Sequence, residues 1–227
     1  MCIRDSKGAL ARYVSEDIVH EVIQAGKSSE LFSQRKKVTI LFADVRRFTN
    51  FSEQSSPEEI AAFLNQYFEK MIEAIFKNSG HLNKFMGDGL MALFGALRDD
   101  DFQEEHAMQA AIDMRTALAT LKSGWAESEH AAERTISLLE IGIGINTGLA
   151  IVGNIGSKKR MEYTAIGDAV NLAARLEQST RDYPGVDILV SEYTYVAVRS
   201  RFPFKPVAEI AVKGKSEAIR TYTINEG

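Results

Sequence analysis

The feature of the sequence that most constrains the fold is a long run of apolar residues at helical spacing between Ser56 and Phe76. The i, i+3, i+4, i+7 spacing places these side chains on one face of an amphipathic helix. They are Ile60, Phe63, Leu64, Tyr67, Phe68, Met71, Ile72, Ile75 and Phe76. Ser56, Pro57 and Glu59 supply the N-cap, a first-turn proline and the acid of a capping box, and Gly80 is predicted to end the helix. We interpret the apolar face as core packing and not as a cofactor site.

Strand patterns flank this helix on both sides. The apolar, β-branched run from Val38 to Phe42 indicates a strand that leads into Asp44. After the helix, residues 81–85 and 90–94 have the pattern of two strands joined by the turn MGDG. The sequence therefore predicts a hairpin with Asp88 at its tip.

The second half of the chain repeats the alternation of helix and strand. A second helix is predicted to begin at the acidic run 99–101, and the polar stretch 127–134 is a predicted surface loop. The later predicted elements are strands at 138–145 and 149–152 and near Tyr163, a helix at 168–178, and strands around Ile188, Ile210 and Tyr222. The order strand, helix, strand, strand, helix, strand predicts an α+β fold with a ferredoxin-like βαββαβ core, helices on one face of its sheet, and additional C-terminal strands and a helix.

Composition excludes several classes of protein. The 227 residues, 45% of them hydrophobic, are enough for one well-packed domain. A net charge of -4 with dispersed basic residues excludes a nucleic acid polymer as partner. The single cysteine, Cys2, excludes an internal disulfide framework and disfavours a zinc site. The sequence has neither a membrane-spanning apolar run nor the apolar core of a signal peptide, so a cytoplasmic location is predicted.

Upstream of the first core strand, residues 13–23 carry apolar side chains at helical spacing. This short amphipathic helix either packs on its own domain or pairs with a partner and transmits a signal from an upstream sensor domain. The sequence favours neither alternative. We predict a lead-in helix and linker over residues 1–34 and one folded domain over residues 35–227.

Asp44 and Asp88 are the leading candidates for chemistry, because each lies where an apolar strand gives way to a polar turn. One such aspartate is more often a turn former or a helix cap than a metal ligand. In a ferredoxin-like sheet, however, the first and third strands are neighbours, so the two carboxylates can share ions. Magnesium prefers one or two carboxylates, with water and substrate phosphates completing the octahedron. The pair predicts phosphoryl or nucleotidyl chemistry.

Five segments together resemble the catalytic domain of class III adenylyl and guanylyl cyclases. They are LFADVRRFT, NKFMGDGLMALFG, GIGINTG, EYTAIGDAVNLAARLEQ and VKGK, in the family's order between about Lys37 and Tyr222. The resemblance implies a cyclase catalytic domain with two Mg²⁺ ions, replaceable by Mn²⁺, held by Asp44, Asp88 and the main-chain carbonyl of Val45. It also implies a head-to-tail homodimer in which each active site draws residues from both chains.

Asn171 and Arg175 lie one helical turn apart, so their side chains project from one helix face. The resemblance assigns the amide to the ribose and the guanidinium to the charge that develops on the α-phosphate. Outside this longer motif, an NxxxR pair would instead be interpreted as part of an exposed polar stripe on a helix. Two metal ions can activate the 3′-hydroxyl and bind the triphosphate, so a protein general base is not required, and none is obvious.

The resemblance places the choice of base on Lys84 and Thr164. A lysine can donate to adenine N1 and the threonine hydroxyl can accept from the adenine amine, whereas guanine presents the opposite pattern there. ATP is therefore the predicted substrate. Without the surrounding motifs, both residues would be interpreted as ordinary strand residues. Lys213 in VKGK matches the family lysine that reaches the triphosphate.

The chain departs from the family at two positions. Arg47 stands where a glycine is usual in the loop that wraps the phosphates. In the GIGINTG strand many relatives place an arginine for pyrophosphate, but this chain has Glu140 and Gly142. Because the Asp44 loop faces the phosphates, we hypothesise that Arg46 or Arg47 partly takes over that contact.

Taken together, these observations predict an adenylyl cyclase that makes cyclic AMP and pyrophosphate from ATP as a homodimer. A guanylyl or dual-specificity cyclase is the alternative among enzymes. A catalytically silent nucleotide-binding or dimerisation module is the alternative from another class, and the two departures favour it. A diguanylate cyclase is disfavoured because the hairpin reads MGDGL where that family has GG[DE]EF.

Overall fold

The computed structural model describes residues 33–126, 136–157, 159–211 and 218–225. The predicted lead-in helix, the predicted loop at 127–134 and the VKGK segment lie outside these ranges. The strands are β1 Ser33–Arg46, β2 His81–Met86, β3 Gly89–Phe94, β4 Glu140–Ser157, β5 Arg160–Ile166, β6 Ile188–Ser191, β7 Phe204–Ile210 and β8 Ile219–Ile224. The helices are α1 Phe48–Gln54, α2 Pro57–Lys77, α3 Gln103–Ala126, α4 Asp168–Ser179 and α5 Glu192–Val198, with a 3-10 helix at Thr180–Asp182. None of the helices within the described ranges combines the length and the apolarity needed to cross a membrane.

The sheet has the strand order β2-β3-β1-β4-β6-β8-β7, with β5 paired to β4. Strand β1 is antiparallel to both β3 and β4, whereas β6 joins β4 in parallel. The order β2-β3-β1-β4 is that of a ferredoxin-like βαββαβ unit, which confirms the predicted α+β core. Strands β6 to β8 and helix α5 extend it at the C-terminal side.

Alternate residues of β1 face two separate apolar clusters, as the pleat of a strand requires. Leu41 and Ala43 pack in the cluster that contains the buried faces of α2 and α3. Ile40 and Phe42 pack in the opposite cluster with Ala173 of α4. The two core helices thus cover one face of the sheet, as expected, and α4 covers the other.

Helix α2 begins as its capping box predicts. The Ser56 hydroxyl accepts from the Glu59 amide at 3.2 Å, and the Glu59 carboxylate accepts from the Ser56 amide at 2.8 Å. The helix ends at Lys77, and Ser79, not Gly80, takes the left-handed conformation with φ 58°. The left-handed residue that follows the helix therefore lies one position before the predicted Gly80.

Four other elements differ from the sequence-based expectation. Strand β4 is continuous over Glu140–Ser157 instead of forming two strands, because β1 pairs with it from residue 140 to residue 153. Helix α3 begins at Gln103, since the Asp100 carboxylate accepts from the Phe102 amide at 2.9 Å and caps the turn before the helix. The short helices α1 and α5 were not predicted.

Candidate active site

The β2–β3 hairpin carries Asp88 to the end of β1, where it meets Asp44. Gly87 turns the chain with a left-handed φ of 67°. Gly89 allows close approach, because a side-chain carbon there would lie 2.9 Å from the Ala43 carbonyl oxygen and 3.0 Å from Asp44 Oδ1. As a result the two carboxyl groups lie close enough together for the charge of Asp44 to raise the pKa of Asp88. The MGDG turn therefore brings together the two aspartates that the sequence singled out.

These aspartates open into a cavity of about 570 Å³ at the carboxyl end of β1. Its wall contains three acidic and three basic side chains. They are Asp44, Asp88 and Glu140, and Arg46, Arg47 and Arg181. Val45, whose carbonyl was the third predicted metal ligand, also lines the cavity. The cavity is large enough for a small polar ligand and carries charges of both signs.

Burial and mutual repulsion raise the pKa values of two acidic side chains in this region. Burial, together with the charge of Asp44, raises the pKa of Asp88 to about 6. Burial, again with the charge of Asp44, raises the pKa of Glu177 to about 7, although Arg181 and Arg46 oppose that shift. Bringing a cation to this site would relieve the repulsion between the carboxylates.

The donor set fits a hard divalent cation. Two neighbouring carboxylates supply the oxygen ligands that Mg²⁺ prefers, with room in the cavity for water and phosphate oxygens. Within the described ranges, no group of three or more histidine, cysteine, aspartate or glutamate side chains forms a metal site. Asp44, Asp88 and Val45, the three predicted ligands, all line the cavity, and their role in holding an ion stays a prediction.

Two charged residues of this region were missed by sequence reasoning. Arg181, on the 3-10 helix after α4, forms an ion pair with Asp44, and its Nη2 lies 3.9 Å from Glu177 Oε1. The Glu177 side chain is only 9% exposed, and its Oε1 has no hydrogen-bond partner among the described residues. Glu177 follows Arg175 by two positions, and so by more than half a helical turn, which would have indicated an inward-facing carboxylate.

The GIGINTG segment of β4 seats helix α4 directly on the sheet. A side-chain carbon at Gly144 would lie 2.1 Å from the Glu177 amide nitrogen and 2.4 Å from the Ala173 carbonyl oxygen. Asn146 Nδ2 donates to the Ala169 carbonyl oxygen at 2.9 Å and fixes the first turn of the helix. Close packing on β4 therefore sets the position of every side chain that α4 presents.

The two predicted catalytic residues of α4 lie apart from the aspartate cavity. Asn171 is exposed and Arg175 is half-buried, and neither lines the cavity. Neither side chain has a hydrogen bond or ion pair to any other described residue. Within a single chain, the predicted metal ligands and the predicted transition-state residues therefore lie at different places.

Lys84 and Thr164 lie on two strands that are joined by side-chain contacts. Lys84 Nζ lies 2.6 Å from Glu162 Oε1, and the buried Thr164 hydroxyl donates to Asn83 Oδ1 at 2.9 Å. Asn83 in turn donates to the Tyr163 carbonyl oxygen at 2.6 Å. These contacts hold β2 next to β5 and pair Lys84 with a carboxylate that the sequence did not indicate, and the shared role of Lys84 and Thr164 stays a prediction.

The head group of Arg46 is held inside the protein. Its Nη2 donates to the Val186 carbonyl oxygen, and its Nη1 lies 3.7 Å from Glu140 and 3.9 Å from Asp187. The side chain is 10% exposed. Its predicted contact with phosphate stays a prediction, and would require these interactions to open.

Arg47 adopts a left-handed backbone conformation, with φ 65° and ψ 14°, and its side chain is exposed at the cavity. This conformation accounts for the glycine that is usual at this position, since a side chain there is strained. Lys213, the predicted triphosphate lysine, lies outside the described residues.

Comparison with known proteins agrees with this geometry. The family model for the adenylate and guanylate cyclase catalytic domain matches residues 32–226. Adenylate cyclase 1 of Rhizobium meliloti is 34% identical over 223 residues, which are 97% of this chain but only 32% of that protein. The chain therefore spans about a third of that relative.

Two solved structures resemble the chain over most of its length. The adenylyl cyclase CyaB from P. aeruginosa is 35% identical with a TM-score of 0.78, and the match covers 87% of this chain and 97% of that one. The guanylyl cyclase Cya2 is also 35% identical, with a TM-score of 0.73 and coverage of 86% and 94%. Relatives with either base specificity are thus equally similar in sequence.

Proposed function

The chain belongs to the family of adenylate and guanylate cyclase catalytic domains, and we propose that it converts ATP to 3′,5′-cyclic AMP and pyrophosphate at sites formed between two copies of the chain. The convergence of the Asp44 and Asp88 carboxyl groups on one open cavity carries this proposal. Such a pair serves a reaction in which charge builds up on a polyphosphate. The adenylate cyclases among its relatives support ATP as the substrate.

Two Mg²⁺ ions held by Asp44, Asp88 and the Val45 carbonyl would lower the pKa of the substrate 3′-hydroxyl and neutralise the triphosphate. Oxygen O3′ attacks the α-phosphorus, the bond to the bridging oxygen of pyrophosphate breaks, and the hydroxyl proton passes to water. The aspartates would act by binding the ions. No side chain needs to accept that proton.

The remaining roles fall to groups outside the cavity. Asn171 orients the ribose, and Arg175 donates to the α-phosphate as negative charge develops on it. Lys84 donates to adenine N1, and Thr164 accepts from the adenine amine. Lys213 stays the predicted contact to the triphosphate.

Dimerisation follows from the separation of these groups. Asn171 and Arg175 lie outside the aspartate cavity of their own chain, so a substrate in that cavity must receive them from a second copy. An apolar surface is available for the contact: Leu149 and Ile151 of β4 and Ile166 of β5 are exposed, and the two isoleucines are directly paired. A head-to-tail dimer closed by this surface would create two equivalent sites.

Guanine is the second candidate base, and Glu162 is the observation that favours it. Its carboxylate pairs with Lys84 at 2.6 Å and lies on the same strand face as Thr164. A carboxylate can accept from guanine N1 and from the guanine amine, whereas adenine offers no donor at N1. If the Glu162 carboxylate accepts hydrogen bonds from the base, GTP would be used as well as ATP.

A cyclase assay tests the proposal. Cyclic nucleotide formation from ATP and from GTP would be measured with Mg²⁺ and with Mn²⁺ over a wide range of protein concentration. We expect ATP to be preferred and specific activity to rise with protein concentration. Binding of ATP without any cyclic product would instead support a silent nucleotide-binding module. The predicted upstream sensor domain and the boundary at residue 35 stay predictions.

A further inference from the structure

Arg181 occupies a position in the aspartate cavity that its sequence context does not suggest. It lies just beyond α4, forms an ion pair with Asp44, and is 56% exposed. Arg46, by contrast, is 10% exposed and bonded to a backbone carbonyl. Of the three arginines that line the cavity, Arg181 is the one that forms an ion pair with Asp44.

The structure also explains why β4 carries no arginine at position 142. A side-chain carbon on Gly142 would lie 2.6 Å from Thr180 Oγ1, 3.2 Å from Arg46 Nε and 3.3 Å from Glu177 Oε1. The first distance is shorter than van der Waals contact allows, so a side chain at this position would require the Thr180 side chain to move. Two of these three residues, Glu177 and Thr180, belong to the same segment that carries Arg181.

Departing pyrophosphate needs a cation, and a guanidinium suits it. The planar fork of an arginine can bind two phosphate oxygens at once. In the free protein Arg181 already pairs with one anionic oxygen, that of the Asp44 carboxylate. The ion pair is a weak anchor, because more than half of the Arg181 side chain is in solvent. The side chain can therefore leave Asp44 for a more highly charged phosphate group.

We infer that Arg181 binds the β- and γ-phosphates of the substrate, and the pyrophosphate product, in place of the arginine that other family members carry at the position of Gly142. This inference rests on the proposed function. In the free protein Arg181 pairs with Asp44 and stays over the cavity. With nucleotide bound, its guanidinium contacts the terminal phosphates. Its role is to bind substrate and product, and Arg175 remains the group at the α-phosphate.

Pyrophosphate binding tests the inference without turnover. Calorimetry with Mg²⁺ present would compare wild type, Arg181→Ala, Arg181→Lys and the control Arg201→Ala, which removes an exposed arginine 3.7 Å from Glu105 and outside the cavity. We expect Arg181→Ala to weaken pyrophosphate binding and raise the KM for ATP about ten- to a hundredfold. Arg181→Lys should recover part of the loss, and Arg201→Ala should match wild type.

Unchanged pyrophosphate affinity in Arg181→Ala would overturn the inference. A lower metal requirement with unchanged pyrophosphate affinity would do so too, because Arg181 would then be only a counter-ion of Asp44. The two proposals fail separately. A wild-type protein without cyclase activity contradicts the proposed function, whereas an active wild type that Arg181→Ala matches in both KM and pyrophosphate affinity contradicts only the role of Arg181.

Discussion

The aspartate cavity and the outer face of α4 differ in whether their charged groups have partners within the chain. In the cavity, Asp44 pairs with Arg181 and its charge raises the pKa of Asp88, so these three groups interact within their own chain. On α4, Arg175 has no ion-pair or hydrogen-bond partner among the described residues, and Asn171 is exposed. The three cavity groups thus have partners within one chain, whereas α4 presents groups that only something outside the chain can use. The difference indicates that a working site requires two copies.

Single substitutions in the two regions should have the largest effects. Asp44→Asn removes a proposed metal ligand with little change of shape, and we expect turnover to fall at least about a hundredfold. Arg175→Ala should lower kcat by about a hundred- to a thousandfold with a smaller change in KM, since its contact strengthens in the transition state. Steady-state kinetics with Mn²⁺ would measure both. Activity near wild type in either variant would contradict the role assigned to that residue.

A charge in the exposed apolar surface should break the proposed contact between copies. Ile151→Asp is expected to raise the dimer dissociation constant at least about tenfold, because a buried aliphatic contact is lost and a carboxylate is desolvated. Sedimentation and the dependence of activity on protein concentration would measure the change. The control is Val196→Asp, which places the same charge at an exposed apolar position of α5. Equal effects of both substitutions would show that the surface is not specific.

The pKa of Glu177 gives a test of the charge interactions on the cavity side. Its pKa of about 7 in the folded protein lies above its usual value of 4.5. Its contribution to stability is therefore fully present below the unfolded-state pKa and is lost as the pH rises through the folded-state pKa. Relative to wild type, Glu177→Gln should gain up to about 3 kcal/mol of unfolding free energy between about pH 5 and pH 8 in metal-free buffer.

Urea unfolding at several pH values would measure this gain. Glu209→Gln, which changes an exposed glutamate of β7, is the matched control. If Glu177→Gln follows the same pH profile as wild type, its carboxyl is not held in the protonated form by burial and by Asp44.

Arg47 is expected to show the smallest effect. Its left-handed φ of 65° costs a non-glycine residue about 1 kcal/mol or more, partly offset by the larger unfolded-state entropy of glycine. Arg47→Gly should therefore stabilise the fold by about 0.5 to 1 kcal/mol, measured by chemical unfolding. The same replacement at Arg199, with φ -59°, should be destabilising. A loss of stability in Arg47→Gly would show that its side chain outweighs the backbone strain.

The sequence predicted those parts of the molecule in which the pattern of neighbouring residues determines the structure. The capping box placed the start of α2, and the MGDG turn placed Asp88 at a hairpin tip next to Asp44. Alternation alone could not show that β4 continues through Gly148, since that depends on its pairing with β1. Nor could it identify Glu162 or Arg181, whose importance comes from contacts between residues distant in sequence.

The most direct test of the two-copy site mixes the two weakened variants. Asp44→Asn and Arg175→Ala are combined in equal amounts and allowed to exchange subunits. In a head-to-tail heterodimer one site carries both substitutions and the other carries neither, so about a quarter of wild-type activity should return. The activity should appear with the same protein-concentration dependence as heterodimer formation. If heterodimers form and the mixture remains as inactive as its components, the aspartates and Arg175 do not meet across a dimer interface.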